Sequence, residues 1–143
     1  MAVSIKHSDT SKSISFRLGE LFCGPGGIGL GAASASVERD GRKFEIEHVW
    51  ANDNDKDTCK TYDRNIAPVT ICKDVRQLDF SKLDTIDGLS FGFPCNDFSV
   101  VGEQKGINGV FGPLYKYGVE ALKVLKPLWF VAENVSGLKN TIC

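Results

Sequence analysis

The sequence predicts an α/β fold with a doubly wound, mostly parallel sheet. Three observations predict it. Apolar strand-like runs alternate with helix-like stretches along the whole chain. A glycine-rich turn, Gly24-Pro25-Gly26-Gly27-Ile28-Gly29, directly follows the first strand-like run. A late, nearly unbroken apolar run, Leu128-Trp129-Phe130-Val131-Ala132, has the composition of a parallel strand buried on both faces.

Residues 1–13 are polar, rich in Ser and Lys, and read as a flexible leader. Ile14 to Phe22 alternates apolar and polar residues, as a strand does. After the glycines, Ala32-Ala33-Ser34-Ala35-Ser36-Val37 is small and helix-tolerant. Glu45 to Ala51 predicts a second strand, ending at the polar cluster Asn52-Asp53-Asn54-Asp55, which suits a helix N-terminus. That helix is expected to end near Asn65, ahead of Pro68, and Val69 to Cys72 predicts a short third strand before Asp74. Ile86 to Phe93 is a fourth strand closed by Pro94, and Gly102 to Gly112 reads as a long loop. Tyr115, Val119, Leu122 and Leu125 fall on one side of a helix, and the fifth strand is expected at the centre of the sheet.

The length of 143 residues is that of one domain. With 42% hydrophobic and 24% charged residues, there is enough apolar material for a core, which excludes wholesale disorder. No apolar stretch reaches the roughly 18 residues a membrane span needs, and the first residues lack the apolar core of a secretory signal. A net charge of −1 shows no basic surplus for a nucleic acid. The five cysteines are scattered without a C-x-x-C pair, so the expectation is reduced thiols, no disulfide framework and no metal site.

The glycine turn fits G-x-G-x-x-G, which allows a ligand close to the backbone. It is not a phosphate-binding P-loop, because no Gly-Lys-Ser/Thr follows. Asp53 ends the second strand, where a carboxylate can accept from both hydroxyls of a ribose. Asp74, after the third strand, can accept from an adenine amine. Each acid by itself is more often a helix cap or a solvated turn residue. Together, at the carboxyl ends of consecutive strands, they point to one crevice for an adenosine-containing cofactor, with NAD and S-adenosylmethionine both open. Cys95 follows the fourth strand in Gly92-Phe93-Pro94-Cys95-Asn96-Asp97-Phe98-Ser99, where Pro94 stiffens the approach of a thiol that can serve as a nucleophile or sit passively. Glu133, in Glu133-Asn134-Val135, emerges from an apolar run, which predicts a carboxyl that stays protonated and donates to a base nitrogen, or else a plain helix cap.

Phe22-Cys23-Gly24-Pro25-Gly26-Gly27, Asp53, Asp74, the Pro94-Cys95 segment and Glu133-Asn134-Val135 resemble, in order and spacing, the successive motifs of the C5-cytosine DNA methyltransferases. The resemblance runs from about Phe16 to the end of the chain. It implies a Rossmann-like S-adenosylmethionine-dependent methyltransferase fold, with residues 14–143 a partial catalytic domain and the target recognition domain absent. It implies Cys95 as the nucleophile toward C6 of a flipped cytosine, with Glu133 as the acid steadying N3 and the exocyclic amine. It also implies Phe22, Gly24, Gly26, Gly27, Asp53, Asn54, Asp74, Val75, Pro94 and Leu114 around the cofactor. Ser99 and Asn134 are implied at the DNA substrate. Phe111-Gly112 stands where many relatives have Arg-Gly, and the family's Gln-x-Arg-x-Arg element does not follow Val135. The implied partners are double-stranded DNA, acted on through a complete enzyme, and a missing C-terminal portion or second subunit, in a bacterial cytoplasm and a restriction-modification system. A nicotinamide-dependent oxidoreductase is the alternative enzyme, and a non-catalytic cofactor-binding half is the alternative role.

Overall fold

The computed structural model describes residues 13–94 and 114–135. Strand β1 (Ser13–Leu21) forms the centre of the sheet, paired in parallel with β3 (Arg42–Asp53) on one side and β5 (Gly88–Phe91) on the other. Beyond β3, two short strands share its outer edge. β2 (Ser36–Arg39) pairs antiparallel with its first half, and β4 (Thr70–Cys72) pairs in parallel with its last three residues. Beyond β5 lies β6 (Trp129–Ala132), again parallel, giving the order β2-β3-β1-β5-β6. The chain therefore moves outward from β1 through β3 to β4, then crosses back to β5. The reversal beside β1 is the point where open α/β sheets leave a crevice.

Helix α1 (Gly27–Ala33) starts inside the glycine motif, earlier than the small residues after it suggest. Val37 lies not in a helix but in β2, which turns into β3 through Asp40 and Gly41, both at positive φ (53° and 68°). Two such residues make the primed turn whose twist suits a hairpin, so Asp40-Gly41 was a legible signal for a strand pair. Helix α2 (Lys56–Asn65) is capped by Asp55, whose side chain accepts from the Thr58 N–H. Helix α3 (Tyr115–Leu125) lies where its apolar spacing placed it.

Neighbouring residues on the central strands go to opposite faces of the sheet. Leu21, Trp50, Leu89 and Phe91 join Phe80, Ile86 and Ala121 of α3 in one apolar cluster. Ala51, with Cys23 and Tyr62 of α2, forms a smaller one. Both faces of β1 are covered near its carboxyl end, so Leu18, Glu20 and Leu21 are all about 1% exposed.

The last strand departs from expectation. β6 is an edge strand of the described sheet, and its residues are not buried on both faces: Phe130 is 56% exposed and Leu128, just before it, 80%. Phe130 does stack on Phe91, with centroids 6.3 Å apart. The apolar composition of Leu128 to Ala132 is that of a covered strand, but burial is supplied by neighbours, and no described element lies on its outer side.

Candidate functional site

The carboxyl ends of β1, β3, β4 and β5 open into one cavity of about 310 Å³. Phe22, Asn52, Asp53 and Asn54 line it from the β1 and β3 exits. Asp74, Val75 and Arg76 line it after β4, Gly92 and Pro94 after β5, and Leu114 ahead of α3. Seven residues expected around a cofactor, Phe22, Asp53, Asn54, Asp74, Val75, Pro94 and Leu114, thus meet in a single crevice.

Phe22 holds a left-handed backbone at φ 55°. A bulky residue there costs about 1–3 kcal/mol and persists only where its surroundings enforce it. The turn after it uses Gly24 (φ 56°) and Gly26 (φ 102°). A Cβ on Gly26 would also run into Ile66. The glycines themselves are not in the cavity wall. Gly24 and Gly27 face open space, and Gly24 acts through its N–H, which donates to Asp53 Oδ2 at 3.0 Å.

That bond ties the turn to the strand-end acid. Asp53 Oδ1 accepts from the Asp55 N–H, also at 3.0 Å. A carboxylate offers about four lone-pair sites, so among the described residues each Asp53 oxygen keeps one acceptor position. Two neighbouring oxygens, each with one free acceptor, match the two adjacent hydroxyls of a ribose. Behind Asp53, buried Asn52 donates through Nδ2 to the carbonyls of Ile71 and Lys73, both at 2.8 Å, locking the end of β4 to β3.

Asp74 caps the following turn and is forked by Arg76. The Arg76 N–H and Nε reach Oδ1, both at 2.9 Å, and Nη2 reaches Oδ2 at 2.6 Å. The Arg76 guanidinium, helped by its backbone N–H, holds this carboxyl below the usual aspartate range. One acceptor position on Oδ2 remains for an amine. Sequence reasoning named Asp74 but missed Arg76 and Asn52. A cation two residues after an acid was the only signal for Arg76, and Asn52 looked like a turn residue.

Glu133 is not among the residues that line the cavity; it follows β6 and donates its N–H to the Phe91 carbonyl at 3.0 Å. Its carboxylate lies against Gly92, where an added Cβ would come 3.3 Å from Oε2. Glu133 is exposed in the described structure. Asn134, expected at the substrate, donates through Nδ2 to the Phe93 carbonyl at 2.7 Å, tying the exits of β5 and β6 together just before Pro94. Cys95, Ser99, the loop Gly102 to Gly112 and Phe111-Gly112 lie outside the described residues.

The described cysteines, Cys23, Cys59 and Cys72, are free thiols. Burial pushes the Cys23 thiol far up, with the charges of Asp53 and Glu20 adding to it. Burial pushes Cys59 up to about 11, and its Sγ lies 3.6 Å from the Asp53 carbonyl oxygen. Among the described residues no helix is long and apolar enough to cross a membrane, and no group of three or more His, Cys, Asp or Glu could hold a metal ion.

Fold and crevice together define a doubly wound α/β protein with an acidic ligand site at the reversal of its strand order. The family model for the C-5 cytosine-specific DNA methylases matches residues 16–142, and the chain belongs to that family. It is 52% identical over 135 residues to "Type II methyltransferase M.BbvI" of Brevibacillus brevis, covering 87% of this chain and 36% of that protein. It is 38% identical over 120 residues to "Type II methyltransferase M.NgoFVII" of Neisseria gonorrhoeae, covering 82% of this chain and 30% of the relative. The chain thus spans about a third of the length of these relatives. The crystal structure of the S. pombe Dnmt2 methyltransferase superposes with a TM-score of 0.63 at 20% identity. It covers 89% of this chain and 38% of that one, a likeness of fold. Family membership does not favour the nicotinamide-dependent oxidoreductase reading.

Proposed function

We propose that this chain is the cofactor-binding and catalytic portion of a DNA (cytosine-5-)-methyltransferase. The carrying observation is Asp53: a strand-end carboxylate held by two backbone amides, with one acceptor left on each oxygen among the described residues, inside a crevice of about 310 Å³. This donor-acceptor set fits S-adenosylmethionine. Asp53 would take the ribose hydroxyls, Asp74 the adenine amine with Val75 beside it, and Phe22 and Leu114 the apolar faces. When bound, the cofactor supplies an electrophilic methyl group. Pro94, the residue before Cys95 in the sequence, lies in the crevice wall, and its ring fixes its own φ.

The chemistry asked of this chain begins with the Cys95 thiolate adding to C6 of a cytosine turned out of the duplex. Glu133 holds N3 and the exocyclic amine while electron density moves onto C5. Once C5 carries the methyl group, loss of its proton and expulsion of the thiol regenerate Cys95 and leave 5-methylcytosine. Asn134, by fixing the Phe93 carbonyl, holds the two catalytic exits at a set separation. Ser99 is assigned to the flipped nucleotide. Duplex DNA is the substrate through a complete enzyme, whose further portion comes from the same or a second chain. Its setting is a bacterial cytoplasm and, as the printed names of the relatives suggest, restriction-modification.

The test is transfer of labelled methyl from S-adenosylmethionine to cytosine-containing duplex DNA, with a Cys95→Ala control. Transfer that survives the substitution refutes the nucleophile assignment. Cofactor binding without any adduct on 5-fluorocytosine DNA favours the non-catalytic binding half.

A further inference from the structure

Glu20 belongs to neither wall of the crevice, yet it is about 1% exposed in the central strand. An ionised carboxylate so deep is costly unless its oxygens are bonded. Both are. Oε1 accepts from Ser90 Oγ of β5 at 3.0 Å, and Oε2 accepts from the Tyr62 hydroxyl of α2. The Tyr62 oxygen lies 2.9 Å from His48 Nδ1 of β3, so with Nδ1–H donating, the chain His48, Tyr62, Glu20 is proton-ordered. His48 Nε2 is buried with no partner among the described residues. Four polar side chains from β1, β3, β5 and α2 thus share one point beneath the sheet.

That point lies under the glycine turn. A Cβ on Gly29 of α1 would come 2.7 Å from Glu20 Oε2 and 2.8 Å from the Tyr62 hydroxyl. A Cβ on Gly26 would come 3.1 Å from the Tyr62 ring. Tyr62 is also the buried anchor of α2, the helix that begins right after the Asp53 corner. The two parts of the crevice joined by the Gly24–Asp53 bond are therefore both seated on the same tyrosine.

We propose that Glu20 and Tyr62 are positioning residues for the cofactor: their bond fixes the glycine turn and the β3–α2 corner relative to each other and so presets Asp53. This rests on the crevice being the cofactor site, and the test separates the two claims. Amide hydrogen exchange reports the positioning without any ligand, at the bonded amides of Gly24, Leu30 and Thr58. Calorimetry with S-adenosylmethionine reports its consequence.

Tyr62→Phe keeps the ring and removes the bond. The expected result is at least tenfold faster exchange at those amides and an affinity at least tenfold weaker. Glu20→Leu should behave alike. Glu20→Gln should restore both within about threefold, because its amide can still accept from Tyr62 while Ser90 rotates to accept from it. Ile86→Ala, at a buried position two residues ahead of β5, gives a destabilised control in which neither readout should move beyond its global loss. Unchanged exchange in Tyr62→Phe, or an equal effect in Ile86→Ala, overturns the proposal. A parent chain that binds no S-adenosylmethionine overturns the cofactor reading instead, and exchange alone then decides the positioning.

Discussion

Asp53 and Glu133 are both carboxylates at the carboxyl ends of parallel strands. One is gripped by two backbone amides between the glycine turn and α2, and the other stands exposed beside Gly92 at the sheet's described edge. The difference extends to their surroundings. The wall of β1, β3 and β4 is finished from within: Asn52 locks β4, Asp55 caps α2, and the Glu20 cluster seats the turn from below. The β5 and β6 exits have their backbone in place, through Asn134 and the Glu133 N–H, but no described element covers the outer side of β6. Recognition of a cofactor can be preset by short-range bonds between consecutive strand ends.

The sharpest way to break this comparison is to remove the thiol proposed as the nucleophile. Cys95→Ala should abolish adduct formation with 5-fluorocytosine DNA, seen on a denaturing gel, while S-adenosylmethionine affinity stays within about threefold. Parallel loss of both would mean that the two walls are not separable.

The next largest effect concerns stability. Leu89 in β5 is 0% exposed and Leu128 ahead of β6 is 80% exposed. Leu89→Ala should cost about 3 kcal/mol in denaturant unfolding, and Leu128→Ala less than about 0.5 kcal/mol. A comparable cost at both positions would show that Leu128 is covered in solution, by a second copy of this chain or otherwise.

A smaller effect comes from Cys59, whose thiol is pushed up to about 11 by burial. Its folded value lies above the ordinary value of 9.0, so its contribution is fully present below pH 9. It is lost as pH rises from there toward 11. Unfolding midpoints should fall across that window in the parent and less in Cys59→Ala. At pH 8, a thiolate-directed reagent should modify exposed Cys72 well before Cys59.

How much of this was legible in the sequence depended on how local the cause was. Asp53, Asp74 and Pro94 were readable because each sits where a strand stops, and chain punctuation marks those places. The β2–β3 hairpin was overlooked although Asp40-Gly41 signalled it, because the small residues before it satisfy a helix equally well. Glu20 occupied what looked like an ordinary polar position in an alternating strand. Only the sheet order, which covers both faces of β1, makes it a buried carboxyl, and only α2 brings Tyr62 over it. The apolar run of β6 was read correctly as composition and wrongly as position, since neighbours bury a strand and its own residues cannot. Arg76 was missed because its orientation toward Asp74 depends on a single turn of 3₁₀ helix.

The central claim is that the finished wall already binds the adenosine part of S-adenosylmethionine. The most direct measurement is titration calorimetry of this chain with S-adenosylmethionine beside its Asp53→Ala variant. Saturable one-to-one binding by the parent is expected. Losing two charge-assisted bonds at roughly 1.5 kcal/mol each should weaken it by about a hundredfold. Absence of binding by the parent, or equal affinity in Asp53→Ala, would contradict the account.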